Sequence, residues 1–262
     1  MENVIGIIGG SGLYDFLPGE ELTVTTPYGQ PSDRLLISTY KNRKIVFLPR
    51  HGKIHQLPPH KINYRANIYA LKELGVTHIL APCAVGSLKP DLKPGDFVVC
   101  DQLIDRTKSR VDTFFDGPKI AHISMAEPYC PELRGVVISS CANLSLPCHT
   151  TGTVVIVEGP RFSTKAESRM YAQIADVINM TQYPEVVLAR EKEICYTNIS
   201  LITDFDAGVP GREDITAVTA RSYAEVFKAS LVNVKQVLFD VIEHIPEQSH
   251  CNCAHALEDA IS

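Results

Sequence analysis

No apolar run in this chain approaches the length needed to cross a bilayer, so the sequence offers no membrane span. Positive charge is not in excess: 25 Lys and Arg stand against 30 Asp and Glu, a net charge of −5. That balance argues against a nucleic-acid partner, whose phosphates reward basic patches. The N-terminus has Glu2 where a signal peptide would have basic residues ahead of a long apolar core, so none is expected. The chain lacks GxxxxGK(S/T), which excludes a triphosphate-binding loop of that type. Internal repeats, low-complexity blocks and linkers are also missing, so one domain is expected over residues 1–246, with residues 247–262 as a short tail.

What is present fits a globular chain: 262 residues, 45% apolar and 21% charged. Most of the eight cysteines lie inside apolar segments, where they read as small buried hydrophobes of a reducing compartment. A cytoplasmic location is therefore expected. Short β-branched runs alternate with helix-like runs, the pattern of an α/β fold. Strands are expected at Val4–Ile8, Leu35–Tyr40, Lys44–Leu48, Thr77–Ala81, Phe97–Cys100, Thr153–Val157, Val177–Met180 and Cys195–Thr203. Helices are expected at Lys61–Leu74, Pro131–Asn143, from a Ser163 cap to about Ile174, from Pro184, and from an Asp214 cap to about Ile245. Glu185 suits the first turn of the fourth, where the helix dipole favours an acid. The apolar stripe of the last helix, from Val226-Phe227 through Val241-Ile242, reads as a core face. Residues 107–122 show no period and read as a long functional loop.

In an open α/β sheet, ligands bind beyond the carboxyl ends of strands. Several strand ends here carry chemistry. Gly9-Gly10-Ser11-Gly12 exposes N–H groups and a hydroxyl suited to an anion, or else is a plain tight turn. It lacks the third glycine of GxGxxG, so it is a poor dinucleotide fingerprint. Arg50-His51 reads either as a forked oxyanion ligand or as a surface ion pair, and His55 and His60 as ordinary loop histidines. Cys83-Ala84-Val85-Gly86-Ser87 lets backbone approach a ligand, and Cys83 lacks a neighbour that would activate it. Met180-Thr181 follows another strand. Asp204 and Asp206 follow the last, and admit acid/base work, a metal, a purine edge or simple turn capping. In the tail, Cys251-x-Cys253, flanked by His250 and His255, is open to a soft metal, a free thiol pair or a disulfide.

Taken in order, GIIGGSGL (6–13), LPRHG (48–52), NYRANIYALKELG (63–75), VGSL (85–88), EGPRFST (158–164), NMTxxPEVVLARE (179–191) and TDFD (203–206) resemble the 5′-methylthioadenosine phosphorylases of the trimeric purine nucleoside phosphorylase family. The resemblance covers nearly the whole chain to about Ile245. It implies a central mixed β-sheet flanked by helices. It implies phosphorolysis of methylthioadenosine to adenine and 5-methylthioribose 1-phosphate, with a broader purine nucleoside phosphorylase, or a non-catalytic nucleoside-binding protein, as rival readings. By position, Ser11, Arg50, His51, Cys83, Ala84 and Thr181 would surround phosphate. Met180 would pack on the ribose, Phe162 and Ser163 would line the base pocket, and Asp204 and Asp206 would hold the purine, Asp204 as the catalytic acid. His122 would reach a neighbouring subunit's substrate, in a homotrimer or dimer of trimers. No metal and no organic cofactor is implied; phosphate is the co-substrate. The family often has threonine where Cys83 stands, and the tail's CxC resembles a disulfide of some thermostable archaeal members.

Overall fold

The structure is a computed structural model and describes every residue except 1, 2, 11, 15, 210–214 and 262. Its centre is the strand that follows the first long helix. The chain enters through β1 (Val4–Gly9), β2 (Glu20–Leu22), β3 (Leu35–Tyr40) and β4 (Arg43–Pro49). Helix α1 (Tyr64–Glu73) then leads to β5 (Val76–Ser87), which pairs in parallel with β1 on one side. β6 (Phe97–Val98), β7 (Gln102–Arg106), α2 (Pro131–Asn143), β8 (Cys148–His149), β9 (Thr153–Val157) and α3 (Lys165–Tyr171) follow. The chain closes with β10 (Val177–Asn179), α4 (Gln182–Glu191), β11 (Cys195–Asp204) and α5 (Ala220–His244).

Among the described residues, eleven strands join one mixed sheet, as the resemblance implied. β11 runs parallel to β5 over Cys195↔His78 to Asp204↔Gly86, and β10 meets the last residues of β5 antiparallel. So β5 carries β1, β11 and β10 at once, and the ends of β5, β10 and β11 converge. That convergence makes the crevice.

Sequence and structure agree on β3, α2 and β9 to the residue. Elsewhere the differences have causes. β5 is twelve residues long, running through Pro82, Ala84 and Gly86, because neighbours on both sides fix it where local propensity would end it. The first helix starts at Tyr64, capped by the Asn63 side chain accepting from Ala66 N, after a separate 3₁₀ turn at Pro59–Lys61. α3 is capped by Thr164, one residue after Ser163, in a reciprocal capping box with Glu167. α4 contains a non-helical Tyr183, so Pro184 does open its regular part. The Asp214 cap lies outside the described residues; α5 itself begins at Ala220 under a Thr219–Ser222 capping box.

Two apolar layers flank the sheet. α1 and α4 pack on one face, and α2 and the second half of α5 on the other. In α5, Val234, Val237, Leu238, Val241 and Ile242 are buried, but Phe227 and Leu231 are only half-buried. The stripe is therefore core only from Val234 onward. Among the described residues, no helix is long and apolar enough to cross a membrane. Leu238 is fully buried in this layer. Leu238→Ala is expected to cost about 2–5 kcal/mol, read by urea denaturation; a cost below about 1 kcal/mol would mean that α5 does not close the core.

Candidate active site

The crevice holds about 680 Å³ and is lined by the ends of β5, β10 and β11, the turn after β1, the loop after β4, residues 160–163 and the first half of α5. Its floor is fixed by a buried ion pair. Arg50 is 2% exposed and Glu185 is wholly buried. Arg50 Nε donates to Glu185 Oε1 at 2.6 Å and Nη2 to Oε2 at 3.1 Å, while Nη1 reaches Pro82 O at 3.1 Å. Tyr196 Oη donates to the same carboxylate at 2.9 Å. Burial disfavours the guanidinium's charge, but Glu185 outweighs it and holds Arg50 protonated more firmly than usual. So Arg50 is no surface pair, and Glu185 is no exposed dipole partner. Three N–H groups of the guanidinium are engaged in this brace, leaving two of its five for a ligand.

His51 lines the crevice beside it, and its Nδ1 lies 2.8 Å from Leu57 O. A carbonyl only accepts, so Nδ1 carries the proton. Burial, then the Arg50 charge, lowers the imidazole to about 4. His51 is therefore neutral near pH 7, with Nε2 an acceptor. His55, expected to be an ordinary loop residue, stacks on His51 with ring centres 4.6 Å apart and also lines the crevice.

Cys83 and Ala84 lie on β5 at the crevice. Cys83 Sγ accepts from Gln182 Nε2 at 3.4 Å, and burial raises its thiol despite the pull of Arg50. It is a poor nucleophile. Asn179 ties the neighbouring pieces together. Its Nδ2 donates to Ala84 O at 2.9 Å, and its Oδ1 accepts from Thr181 N at 2.7 Å and Gln182 N at 2.8 Å. Thr181 and Met180 are thereby held at the crevice wall.

Asp204 ends β11 opposite Gly86. A Cβ at residue 86 would lie 2.9 Å from Asp204 Oδ1, so only glycine leaves the carboxylate its place. Asp204 accepts from Asp206 N at 2.8 Å and from Thr203 Oγ1 at 2.7 Å. Burial nonetheless wins and raises Asp204 from 3.8 to about 6. The strand stops there, so alternation does not place the two acids. Instead Asp206 sits at φ 49°, a conformation that Asp tolerates, inside the turn its own N–H makes with Asp204. Burial raises Asp206 too. Asp206 Oδ2 and Ser163 Oγ are both buried at the crevice with no hydrogen-bond partner among the described residues. Buried polar atoms are rarely left so in a finished environment, which marks them as ligand-facing.

Phe162 lines the same side, edge-on to Tyr223 of α5 at 6.3 Å. Tyr223, Phe227 and Leu231 of α5 line the crevice as well. Sequence reasoning assigned Phe227 and Leu231 to the core and did not single out Tyr223; the weakening of the stripe into Ser222, Ala224 and Glu225 was the available signal. Ser11 lies outside the described residues, between the lining residues Gly10 and Gly12. His122 is exposed and does not line this chain's crevice.

A profile of the phosphorylase superfamily matches residues 4–243. The S-methyl-5′-thioadenosine phosphorylase of Thermofilum pendens is 54% identical over the full length of both chains. That of Saccharolobus solfataricus is 48% identical over 98% of this chain and 96% of its own. Among solved structures, methylthioadenosine phosphorylase from Schistosoma mansoni in complex with adenine superposes with a TM-score of 0.91 at 38% identity, over 98% of this chain and 96% of that one. A methylthioadenosine phosphorylase from an antarctic soil metagenomic library gives 0.92 at 43% identity, covering 100% and 93%.

The brace predicts a double-mutant result. Glu185→Ala strands a buried guanidinium and is expected to cost about 3–5 kcal/mol in chemical denaturation. Arg50→Met combined with Glu185→Leu is expected to recover most of that loss. A double variant as unstable as the sum of its singles would show that the two charges are not coupled.

Proposed function

The chain belongs to the phosphorylase superfamily, among its methylthioadenosine phosphorylases, and we propose that it cleaves 5′-methylthioadenosine with phosphate, giving adenine and 5-methylthioribose 1-phosphate. The observation that carries this reading is the crevice itself. A carboxyl group with a raised pKa and an anchored guanidinium among strand-end backbone line the same crevice.

The transition state of such a cleavage is an oxocarbenium-like sugar, with negative charge gathering on the purine. Asp204, protonated, donates to N7 and disperses that charge. Asp206 and Ser163, whose Oδ2 and Oγ have no partner among the described residues, take the exocyclic amine and the purine edge. A carboxylate there favours a 6-aminopurine, because a 6-oxo group would meet it acceptor to acceptor. Phosphate is held by the spare N–H groups of Arg50, by Thr181, by backbone at Cys83-Ala84 and by the turn that carries Ser11. Neutral His51 accepts from a phosphate or ribose hydroxyl. Met180 packs on the ribose. Tyr223, Phe227 and Leu231 give the 5′ side an apolar wall suited to a methylthio group. Preorganised donors at developing charge and a fixed nucleophile supply the main catalytic terms. This chemistry asks for a proton donor and an oxyanion cradle; no metal or organic cofactor enters it. We place the enzyme in the cytoplasm as a homotrimer or dimer of trimers, with exposed His122 serving a neighbour's site.

The direct test is release of purine from methylthioadenosine, adenosine and inosine, with and without phosphate. Phosphate-dependent release of adenine from methylthioadenosine, well above release of hypoxanthine from inosine, is expected. Preference for inosine would overturn the account of Asp204 and Asp206, and cleavage without phosphate would overturn the cradle.

Asp204→Asn is expected to lower kcat/KM by about 10²–10⁴, the usual worth of a general acid. The ratio of parent to variant kcat/KM, in which phosphate's own ionisation cancels, should fall as pH rises through about 6, where Asp204 loses its proton. Stability has a linked sign. The folded pKa lies above the ordinary 3.8, so the parent is favoured at low pH and loses that contribution as pH rises through about 6. The Asn variant should therefore gain stability relative to the parent across that window and level off above it. A flat activity ratio would remove Asp204 as the acid.

A further inference from the structure

Away from the crevice, four cysteine sulfurs meet. The Sγ atoms of Cys130, Cys195, Cys251 and Cys253 all lie within 4.8 Å of one another, the only such group of potential metal ligands among the described residues. Three of the four residues are buried and Cys251 is half-buried. We propose that these four thiols form a structural site for one tetrahedral divalent cation of the zinc class, which fastens the C-terminal tail to the sheet.

The geometry selects this ligand. A zinc–sulfur bond of ~2.3 Å places the corners of a tetrahedron about 3.8 Å apart. Cys195 Sγ and Cys251 Sγ are 3.4 Å apart, and the other pairs lie within the 4.8 Å limit. Thiolates of an iron–sulfur cluster bind separate irons and need a wider frame. A disulfide would bring a pair to ~2.05 Å, whereas all four are free thiols here. The ligands come from three places: the N-cap of α2, the first residue of β11, and the tail. The N-cap position helps, because Leu133 N–H already points at Cys130 Sγ at 3.4 Å and the helix start favours negative charge. His250 and His255 are outside the group; His255 Nδ1 pairs with Glu258. Binding breaks four S–H bonds and forms four S–metal bonds. The protons leave to solvent, the ion stays divalent, and no redox partner is needed.

The test uses the full chain, purified under reductant without chelator. Elemental analysis should find about one zinc per chain. Titration of metal-free chain with Co²⁺ should saturate at one equivalent, with the intense thiolate-to-cobalt charge-transfer bands of a tetrahedral tetrathiolate. Cys251→Ser combined with Cys253→Ser should abolish those bands and lower the melting temperature by several degrees. If that variant does not fold, the cobalt titration of the unaltered chain decides alone. Octahedral cobalt spectra, or reduced thiols that take up neither ion, would overturn the proposal. So would an intact mass short of two hydrogens per bridge, with no metal present, in chain purified separately without reductant.

Discussion

Everything at the crevice depends on one buried charge pair. Arg50 follows β4, its N–H bonded to Gly9 O at the end of β1. Its guanidinium reaches Pro82 of β5 and Glu185 of α4, and Tyr196 of β11 closes on the same carboxylate. Four strands and a helix are thus tied together at one point. Burying two charges is expensive, and an apolar pair of the same volume would usually hold the fold as well. What an apolar pair would not supply is a cation held in place with N–H groups to spare. Stability therefore does not explain the pair; a fixed positive charge at the mouth of β5 does.

A second polar layer lies behind it. Gln182 donates to Ser200 Oγ at 3.0 Å and accepts from Tyr129; Ser200 donates to Asn198 Oδ1 at 2.8 Å; and Asn198 bonds both ways with the Cys100 backbone. Such networks are stiff only when every member is satisfied. This one backs Cys83, so the strand segment proposed to face phosphate rests on hydrogen bonds of fixed direction, where apolar packing would let it slide. At Asp204, Asp206 and Ser163 the logic reverses. Asp206 Oδ2 and Ser163 Oγ stay partnerless, and Asp204 is held protonated to about pH 6 by burial. The network behind Cys83 is complete without a ligand; Asp206 and Ser163 are completed by one.

How much of this could be read from the chain alone follows from the range of each interaction. Caps, turns and hydrophobic periods act over a few residues, and β3, α2 and β9 were legible to the residue. β5 was read short because its end at Ser87 is set by strands from other parts of the chain. Asp204 and Asp206 were legible because strand ends in α/β sheets carry function. Their opposite arrangement, one on the strand and one in a left-handed turn, was not, since it depends on where pairing with β5 stops. Glu185 shows the limit most plainly. In sequence it is a good first-turn acid; in the structure it answers a charge 135 residues away.

The tail poses the same problem of range. Cys251 and Cys253 were visible as a pair, but Cys130 and Cys195 were indistinguishable from other buried cysteines. Cys195 opens the strand that Asp204 ends, so about nine residues at ~3.3 Å, some 30 Å, separate the sulfurs from the carboxylate. At that distance the sulfur group acts on the fold and not on the bond that is cleaved. Its reach lies in the other direction. Beyond Cys253 the tail bonds Leu257 N to Glu193 Oε1 and pairs with the loop, His122 N donating to Ala260 O at 2.8 Å. Residues 107–122 have no helix or strand of their own to hold them. A tail fixed at residues 251–253 gives that loop a rigid edge, and with it a defined direction for His122, the residue proposed to leave its own chain's crevice and serve a neighbour's.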